Sequence, residues 1–325
     1  MSKPPLRILL ALVPPVDELD LVAPAQVFAI ANRLVGRQVY DVEVATCGDE
    51  LLVESEGGLL TFFAQSRLKD VTGPYDSALV ICGLANRHRE EPGLTAWLRA
   101  EASRIRRIGG VCVAAFFLAR AGLLDGRRAT SHWRFVQEFA ERHPKVKVTA
   151  APIWIQDGTV FTSAGVTAGF DLALGWLEAD LGSTVAAEAA KELVLFARRT
   201  SSEAQISQVL SAQASERRQL RDLVVWISDN LRKSLTAEDL ADRVGMSRRT
   251  LERSFAREIG RSPARFVLET RVAAARRLLD STSSSLDQIS RSAGFANPDV
   301  MRRAFLRVEG CTPRQYRLKS RSLAA

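Results

Sequence analysis

The sequence predicts an α/β domain with a largely parallel sheet between layers of helices, followed by an all-α domain with two helix-turn-helix units. Two observations carry this prediction. Over roughly the first 200 residues, short apolar runs alternate with segments of helical periodicity, a pattern typical of a parallel sheet covered by helices. Near the carboxyl end, one pattern occurs twice at a spacing of 49 to 50 residues, which indicates a supersecondary unit used twice.

The length and composition of the chain are those of a two-domain protein. Its 325 residues suggest about two domains, and a hydrophobic content of 46% is enough for each to have a core. No apolar run approaches the ~20 residues that span a bilayer, and the first run fits a buried strand better than a signal peptide. We therefore expect a cytoplasmic protein without a membrane partner. The four cysteines lack CxxC spacing, so neither a disulfide framework nor a zinc site is suggested. No metal and no cofactor are expected.

The elements of the first domain follow from its apolar runs in chain order. Strands are expected at residues 6–13, 39–46, 77–82, 111–115 and 146–149. Helices are expected near 21–34, 94–107, 132–142, 167–181 and 184–198, and one more from Phe116. The Asp157-Gly158 pair predicts the turn of a hairpin over 154–161. We place this domain at 1–199, a linker helix at 200–218 and the helical domain at 219–325.

Each copy of the repeat predicts two helices joined by a tight turn. Capping boxes, Thr236-x-x-Asp239 and Ser285-x-x-Gln288, start the first helix of each copy, and Gly245 and Gly294 end it. The second helix of each copy has long polar side chains facing outward near its start, as a helix that reads the major groove requires. The predicted DNA-contacting residues are Ser247, Arg248, Arg249, Glu252 and Arg253 in the first copy and Asn297, Pro298, Asp299, Arg302 and Arg303 in the second.

The connector and the charge distribution both agree with DNA binding. Ser262 and Pro263 start a helix of ~18 residues, or roughly 27 Å, close to the ~34 Å between successive major grooves. Residues 216–325 carry a net charge of +10 and residues 1–215 carry −2. Arginine-rich helices can also be merely solvated, but two copies in register favour double-stranded DNA as the partner.

Residues from about 220 to 316 resemble the DNA-binding domain of AraC/XylS transcriptional regulators. The resemblance implies that Arg249, Glu252 and Arg253, with Asp299, Arg302 and Arg303, occupy base- and backbone-contacting positions. The motifs that carry the resemblance are Gly245-Met246-Ser247-Arg248-Arg249-Thr250-Leu251, Ser262-Pro263-Ala264, Ala293-Gly294-Phe295 and Thr312-Pro313-x-x-Tyr316.

Three residues with reactive side chains fall at the carboxyl ends of predicted strands, where ligands bind in such sheets. Cys112 sits between a strand and a helix, where a sharp turn would expose a nucleophile near a helix start. His132 follows twenty residues later and Asp20 follows the first strand. A thiol, an imidazole and a carboxylate together could form a hydrolytic or lyase site.

The first domain resembles class I glutamine-amidotransferase-like domains of the ThiJ/PfpI type, a flavodoxin-like fold. Ahead of an AraC-type tail, this composition resembles the GlxA-type regulators. The resemblance implies that Cys112, His132 and Asp20 match a nucleophile, its partner and a thiol-polarising acid. The motifs are Leu19-Asp20-x-x-x-Pro24, Cys112-x-x-Ala115-Phe116-x-Leu118-Ala119, Ala121-Gly122-Leu123-Leu124-Asp125-Gly126, Ala129-Thr130-Ser131-His132-Trp133 and Thr162-Ser163-Ala164-Gly165-Val166-Thr167.

Two departures from the enzymes' pattern predict a domain without catalysis. Val113-Ala114 replaces the usual Thr-Gly pair, and a β-branched residue resists a strained elbow. Gly83-Leu84 replaces the Gly-Gly pair that would supply an oxyanion pocket. A thiol hydrolase or glyoxalase-like enzyme using Cys112 and His132, fused to a DNA-binding domain, remains the alternative. A domain that serves only as a dimerisation scaffold is a further one.

We therefore expect a transcriptional regulator that a small metabolite controls. The resemblance implies a homodimer, an activator that acts through RNA polymerase, and an amino-acid-like or quaternary-amine effector. Cys112 and Trp133 could equally be ordinary core residues. The predicted effector-binding residues are Asp20, Gly83, Cys112, Phe116, His132 and Trp133.

Overall fold

The computed structural model of the protein describes residues 4–201, 203–207, 210 and 218–322. The chain divides into two compact units, and the division along the sequence falls between Gln205 and Ile206. The first unit therefore continues beyond the boundary expected at residue 199. About half of the linker helix predicted over 200–218 lies outside the described residues. Where the chain is described, at 203–205, the prediction was wrong, because Ala204 forms an antiparallel bridge with Pro152 instead of a helix. No helix in the described part of the chain combines the length and apolarity needed to cross a bilayer.

The first unit is built on a seven-stranded sheet with the order β10-β11-β7-β6-β1-β2-β5. All neighbours in this sheet are parallel except β10 and β11, which form the predicted hairpin. Two small pairs, β3 with β4 and β8 with β9, lie outside it. The strands are β1 (Leu6–Val13), β2 (Tyr40–Thr46), β3 (Leu52–Glu54), β4 (Thr61–Phe63), β5 (Ser66–Arg67), β6 (Ser77–Cys82), β7 (Arg107–Val111), β8 (Arg128–Ala129), β9 (Lys147–Val148), β10 (Trp154–Asp157) and β11 (Val160–Ser163).

Helices of the first unit cover the sheet and confirm the predicted α/β class. The apolar strands β1 and β6 are buried almost throughout, as expected of central parallel strands. Asp17 caps α1 by accepting the Leu19 amide at 3.1 Å. The helices are α1 (Glu18–Val35), α2 (Pro92–Glu101), α3 (Ala115–Arg120), α4 (Val136–Arg142), α5 (Ala168–Leu181) and α6 (Ser183–Glu192).

Several predicted boundaries were wrong around β7. The strand runs over Arg107–Val111 rather than 111–115, and α2 ends at Glu101 rather than at 107. Arg107 looks like a helix surface residue in the sequence, but its buried guanidinium pairs with Asp180 at 2.8 Å from within the sheet. The strand ends because Cys112 has a φ of 59° and starts a 3-10 turn. Helix α4 begins at Val136 and not at 132, and the β3–β4 hairpin was not predicted.

The second unit contains seven described helices arranged as two helix-turn-helix units around a long connector. Its core joins the helices through aromatic contacts such as Phe255 with Phe266, whose ring centroids lie 6.0 Å apart. Helix α10 has 19 residues, which confirms the predicted connector. The helices are α7 (Arg218–Asp229), α8 (Ala237–Arg243), α9 (Arg248–Glu258), α10 (Pro263–Ser281), α11 (Leu286–Ser292), α12 (Pro298–Glu309) and α13 (Pro313–Ser322).

The two turns of the repeat differ in how closely they pack. Both predicted capping boxes are formed, at Thr236 and Ser285. Gly245 and Gly294 both adopt left-handed φ values, 64° and 81°. A Cβ on Gly245 would meet nothing within 4 Å, whereas one on Gly294 would lie 1.9 Å from the Leu231 carbonyl oxygen. The second turn is therefore pressed against the chain that follows α7.

This difference predicts unequal costs for the same substitution. Gly245→Ala meets only left-handed backbone strain, so it should lower the free energy of unfolding by about 1–2 kcal/mol. Gly294→Ala should cost about 1–3 kcal/mol more, because the methyl group must displace the Leu231 backbone. Urea titrations of the full chain, followed by circular dichroism at 222 nm, would measure both. Equal losses would show that the close approach does not matter.

Candidate functional site

The first reading helix, α9, is fixed to the core by its apolar side and presents its charged side outward. Leu251 and Phe255 are fully buried, and the hydroxyl of Ser247 accepts the Thr250 amide at 3.2 Å. Arg249 and Arg253 are exposed on the opposite side. The amphipathic pattern thus aims long donors away from the core at the start of the helix, where base edges are contacted.

Arg248 differs from its neighbours because intramolecular ion pairs hold it. Its guanidinium bonds to Glu252 on the same helix at 2.9 Å and to Glu238 on α8 at 2.6 Å. These two carboxylates, Glu252 first, raise the pKa of Arg248. Arg249 and Arg253 form no ion pair with any described residue. They are therefore the cations of α9 that are free to contact phosphates or bases.

The second reading helix, α12, repeats this arrangement with one free arginine near its start. Asn297 caps the helix by accepting the Val300 amide at 2.9 Å. Arg302 pairs with Asp299 at 3.2 Å, while exposed Arg303 has no ion-pair partner in the described chain. A groove of about 500 Å³ opens beside the start of this helix. Its lining includes Asn297, Pro298, Asp299, Arg302 and Arg314.

Asp20, at the start of α1, and Cys112, directly after β7, lie together beyond the carboxyl ends of the strands. We call this part of the first unit, with the loop after β11 that contains Gly165 and Val166, the strand-end region. Cys112 directly follows β7 in a left-handed conformation, which is the geometry of a nucleophile elbow. Val113 lies just after this residue, in the 3-10 turn, so the expectation that Val113 opposes the elbow was wrong. Gly165 must lack a side chain because its Cβ would lie 2.2 Å from the Cβ of Cys112.

Asp20 is a buried carboxyl whose environment keeps it neutral at neutral pH. Burial, reinforced by the charges of Asp17 and Glu56, raises its pKa to about 8. The Val166 amide donates to its Oδ1, and this contact and the Cys112 thiol lower the pKa only in part. Asp20 Oδ2 and Ser163 Oγ, at the end of β11, are both buried, and neither has a hydrogen-bond partner among the described residues.

The Cys112 thiol is also neutral and lies out of contact with solvent. Burial raises its pKa well above the ordinary value, and the Asp20 carboxyl and the Cys82 thiol raise it further. The side chain of Cys112 is 0% exposed, so the elbow does not present it to solvent. A thiolate is the reactive form of cysteine, and this environment disfavours it.

The backbone amides directly after β6 donate to a side chain that the sequence analysis did not predict to lie there, that of Glu56. Glu56, from the turn between β3 and β4, accepts the Leu84 amide at 2.7 Å and the Ala85 amide at 2.8 Å. A Cβ on Gly83 would lie 2.9 Å from this carboxylate. Because an oxyanion pocket at this strand end would use such amides, Glu56 now fills that position. No local motif marks Glu56; only the path of the hairpin brings it there.

The remaining predicted residues lie in different surroundings. His132 accepts the Arg134 amide at Nδ1, makes no hydrogen bond to Cys112 within the described structure, and has its pKa lowered by burial and by Arg134. Trp133 is 48% exposed, with its ring centroid 5.6 Å from that of His132. Phe116 is fully buried, and it packs against Phe139 rather than lining an open surface.

A separate cavity of about 630 Å³ opens on the first unit between the end of β2 and α2. Both acidic and basic side chains line it, and Asp20 and Cys112 do not. Representative lining residues are Cys47, Arg67, Lys69, Trp97 and Glu101.

Comparison with known proteins identifies both units. The family model described as DJ-1/PfpI matches residues 6–179, and that described as a helix-turn-helix domain matches residues 240–319. The HTH-type transcriptional regulator CdhR of Pseudomonas aeruginosa is 34% identical over 242 residues, which are 74% of this chain and 72% of that protein. Isonitrile hydratase of Pseudomonas putida is 33% identical over 181 residues, which are 52% of this chain and 69% of that enzyme.

Solved structures share the fold of the first unit. The crystal structure of an AraC family transcriptional regulator from Pseudomonas putida superposes with a TM-score of 0.51 at 24% identity, covering 58% of this chain and all of that one. The predicted resemblances of both units are thus confirmed. The chain belongs to the AraC-type DNA-binding transcriptional regulators in which a DJ-1/PfpI domain precedes the helix-turn-helix domain.

Proposed function

We propose that a small metabolite controls this regulator by binding at the strand-end region of the first unit. The carrying observation is that two buried polar atoms, Asp20 Oδ2 and Ser163 Oγ, have no hydrogen-bond partner in the described part of the chain. Buried polar groups are almost always hydrogen-bonded, so an unpaired pair at the carboxyl edge of a parallel sheet favours a ligand position. Gly83, Cys112, His132 and Trp133 are the other residues that we assign to this neighbourhood.

The chemistry of the site supports an amino-acid-like or quaternary-amine effector. A neutral Asp20 carboxyl can donate a hydrogen bond through its O–H to a ligand carboxylate and can also accept one from a ligand N–H. The exposed Trp133 ring offers a face to a cation. By analogy with the family, the regulator acts in the cytoplasm as a homodimer and activates transcription by contacting RNA polymerase.

We propose that the first unit is not an enzyme. The Cys112 thiol is buried and neutral, and the His132 imidazole accepts a hydrogen bond from the Arg134 amide. The carboxylate of Glu56 accepts hydrogen bonds from the amides that would otherwise hold an oxyanion. Two observations favour an enzyme instead: the left-handed elbow at Cys112 and the similarity to an isonitrile hydratase. A thiol-dependent hydratase or hydrolase joined to a DNA-binding unit is therefore the second candidate.

A metabolite panel tests these two candidates together. Cys112→Ala should keep a heat of metabolite binding and an effect of the metabolite on DNA affinity, although Cys112 lies in the proposed ligand neighbourhood, because binding without catalysis needs no thiol. Isothermal titration and fluorescence anisotropy on a DNA duplex selected by the protein would measure these. Thermal unfolding of the variant serves as the folding control. A ligand consumed by the wild type but not by Cys112→Ala would establish the enzyme, and no heat with any amine or amino acid would reject the effector class.

The free arginines of the reading helices should carry specificity. Arg249→Ala should lose about 1–3 kcal/mol of discrimination at one base pair, because its guanidinium is unpaired and can reach a base edge. Arg248→Ala should weaken discrimination less, since Glu238 and Glu252 already hold that side chain. Binding to a library of single-base variants of the selected duplex would measure this. Arg257→Ala, at the far end of α9, is the matched control; equal effects at all three sites would refute the assignment.

The buried carboxyl predicts a pH-dependent stability. Between about pH 4, its usual range, and pH 8, folded Asp20 keeps a proton that the unfolded chain has lost. The free energy of unfolding contributed by this group therefore falls as pH rises through that window, by about 1.4 kcal/mol per pH unit at most. Asp20→Asn cannot titrate, so its advantage over the wild type should grow from pH 5 to pH 8. Urea unfolding at several pH values would show this, with exposed Asp49→Asn as control; parallel curves for Asp20→Asn and the wild type would contradict it.

A further inference from the structure

The last part of the first unit is bonded to the two loops that hold Asp20 and Cys112. We call residues 199–201 and 203–205 the exit segment, since the chain runs from here into the DNA-binding unit. A short antiparallel contact anchors it: the Ile153 amide donates to the Glu203 carbonyl at 2.8 Å, and the Gln205 amide to the Ala151 carbonyl at 3.0 Å. The exit segment thus belongs to the first unit.

Gln205 connects this segment to the loop that contacts Cys112. Its Nε2 lies within 3.0 Å of Thr130 Oγ1 and of the Ser131 and Ala150 carbonyl oxygens. The Ser131 hydroxyl in turn donates to the Cys112 carbonyl at 3.0 Å. Thr130 and Ser131 are fully buried, so these bonds are strengthened by low local polarity. A shift of the backbone at Cys112 would reach Gln205 through one residue.

Arg199 connects the same segment to the loop that contacts Asp20. Its guanidinium bonds to buried Asp171 at 2.6 Å and to Thr167 Oγ1 at 2.9 Å. Val166, the neighbour of Thr167, donates its amide to Asp20 and has a left-handed φ of 50°. Left-handed backbone is unfavourable for a β-branched residue such as Val166. We therefore expect the loop to relax to another conformation when the hydrogen bond to Asp20 is lost.

We propose that the exit segment reads the state of the strand-end site and passes it to the DNA-binding unit, with Gln205 and Arg199 as the positioning residues. This inference rests on the proposed function, because it supplies the regulation of the same site. A ligand that binds Asp20 changes the hydrogen bond between its carboxyl and the Val166 amide. The hydrogen bonds of Arg199 and Gln205 to the neighbouring loops then become weaker or stronger. The chain leading to the second unit is thereby released or fixed at its origin.

A double-mutant cycle in the full-length protein tests the coupling without a known ligand. Asp20→Ala removes the acceptor of the Val166 amide and serves as the input. It should change the dissociation constant for the selected duplex at least fivefold, within the range of allosteric couplings, and speed hydrogen exchange at the Arg199 and Gln205 amides. In a Gln205→Ala or Arg199→Gln background, the same input should change the dissociation constant less than twofold.

The matched control is Arg198→Gln. Arg198 is the neighbour of Arg199 but pairs with Glu178, so Asp20→Ala should keep its full effect in that background. Effects of Asp20→Ala and Gln205→Ala that simply multiply would overturn the proposal. If Asp20→Ala loses the near-ultraviolet circular dichroism of the wild type, Ser131→Ala replaces it as input, because it breaks the bond to the Cys112 carbonyl.

Failure of the readout and failure of the metabolite proposal give different results. Coupling in the cycle with no response to a panel of quaternary amines and common amino acids leaves the readout standing and rejects those effectors. One of these compounds changing DNA affinity equally in the wild type and in Gln205→Ala supports the effector and overturns the readout.

Discussion

The close approach of Gly165 to Cys112 is the constraint on which the strand-end region depends. With 2.2 Å between the Cβ of Cys112 and the position that a Cβ on Gly165 would take, the two loops after β7 and β11 can meet only without a side chain. This contact places Val166 where its amide reaches Asp20, and it closes the space around the thiol. Burial then sets the protonation of both groups, because low polarity disfavours charge. The neutral carboxyl and the neutral thiol therefore follow from packing.

In the DNA-binding unit, ion pairs within the protein decide which arginines of the reading helices are free. Counting arginines suggests that the first reading helix has the larger share of phosphate affinity, with three near its start against two in the second. Ion pairs remove one arginine from each count: Arg248 is held by two glutamates and Arg302 by Asp299. Free cations, and not total cations, determine what a phosphate can attract, so two free arginines in α9 stand against one near the start of α12 and the first reading helix keeps the larger share.

Sequence patterns predicted the helical unit nearly in full because its signals are local. Capping boxes, left-handed glycines and a proline at a helix start each act within a few residues, and all recur in the structure. The α/β unit was predicted less accurately at β7, where Arg107 is charged yet buried. Hydropathy cannot recognise such a residue, since the partner that compensates its charge, Asp180, lies seventy-three residues away.

Patterns in the sequence were enough to predict the fold class, the family, the order of the two units and the positions of Asp20, Cys112 and the reading helices. Which of these groups are free to act depends on contacts that form only in the folded chain. Glu56 occupies the amides after β6, and Gln205 and Arg199 attach the exit segment to the strand-end loops. Each of these contacts joins residues 28 to 75 positions apart in the chain. Local periodicity holds no information on such pairs, because only the packed sheet brings the loops together.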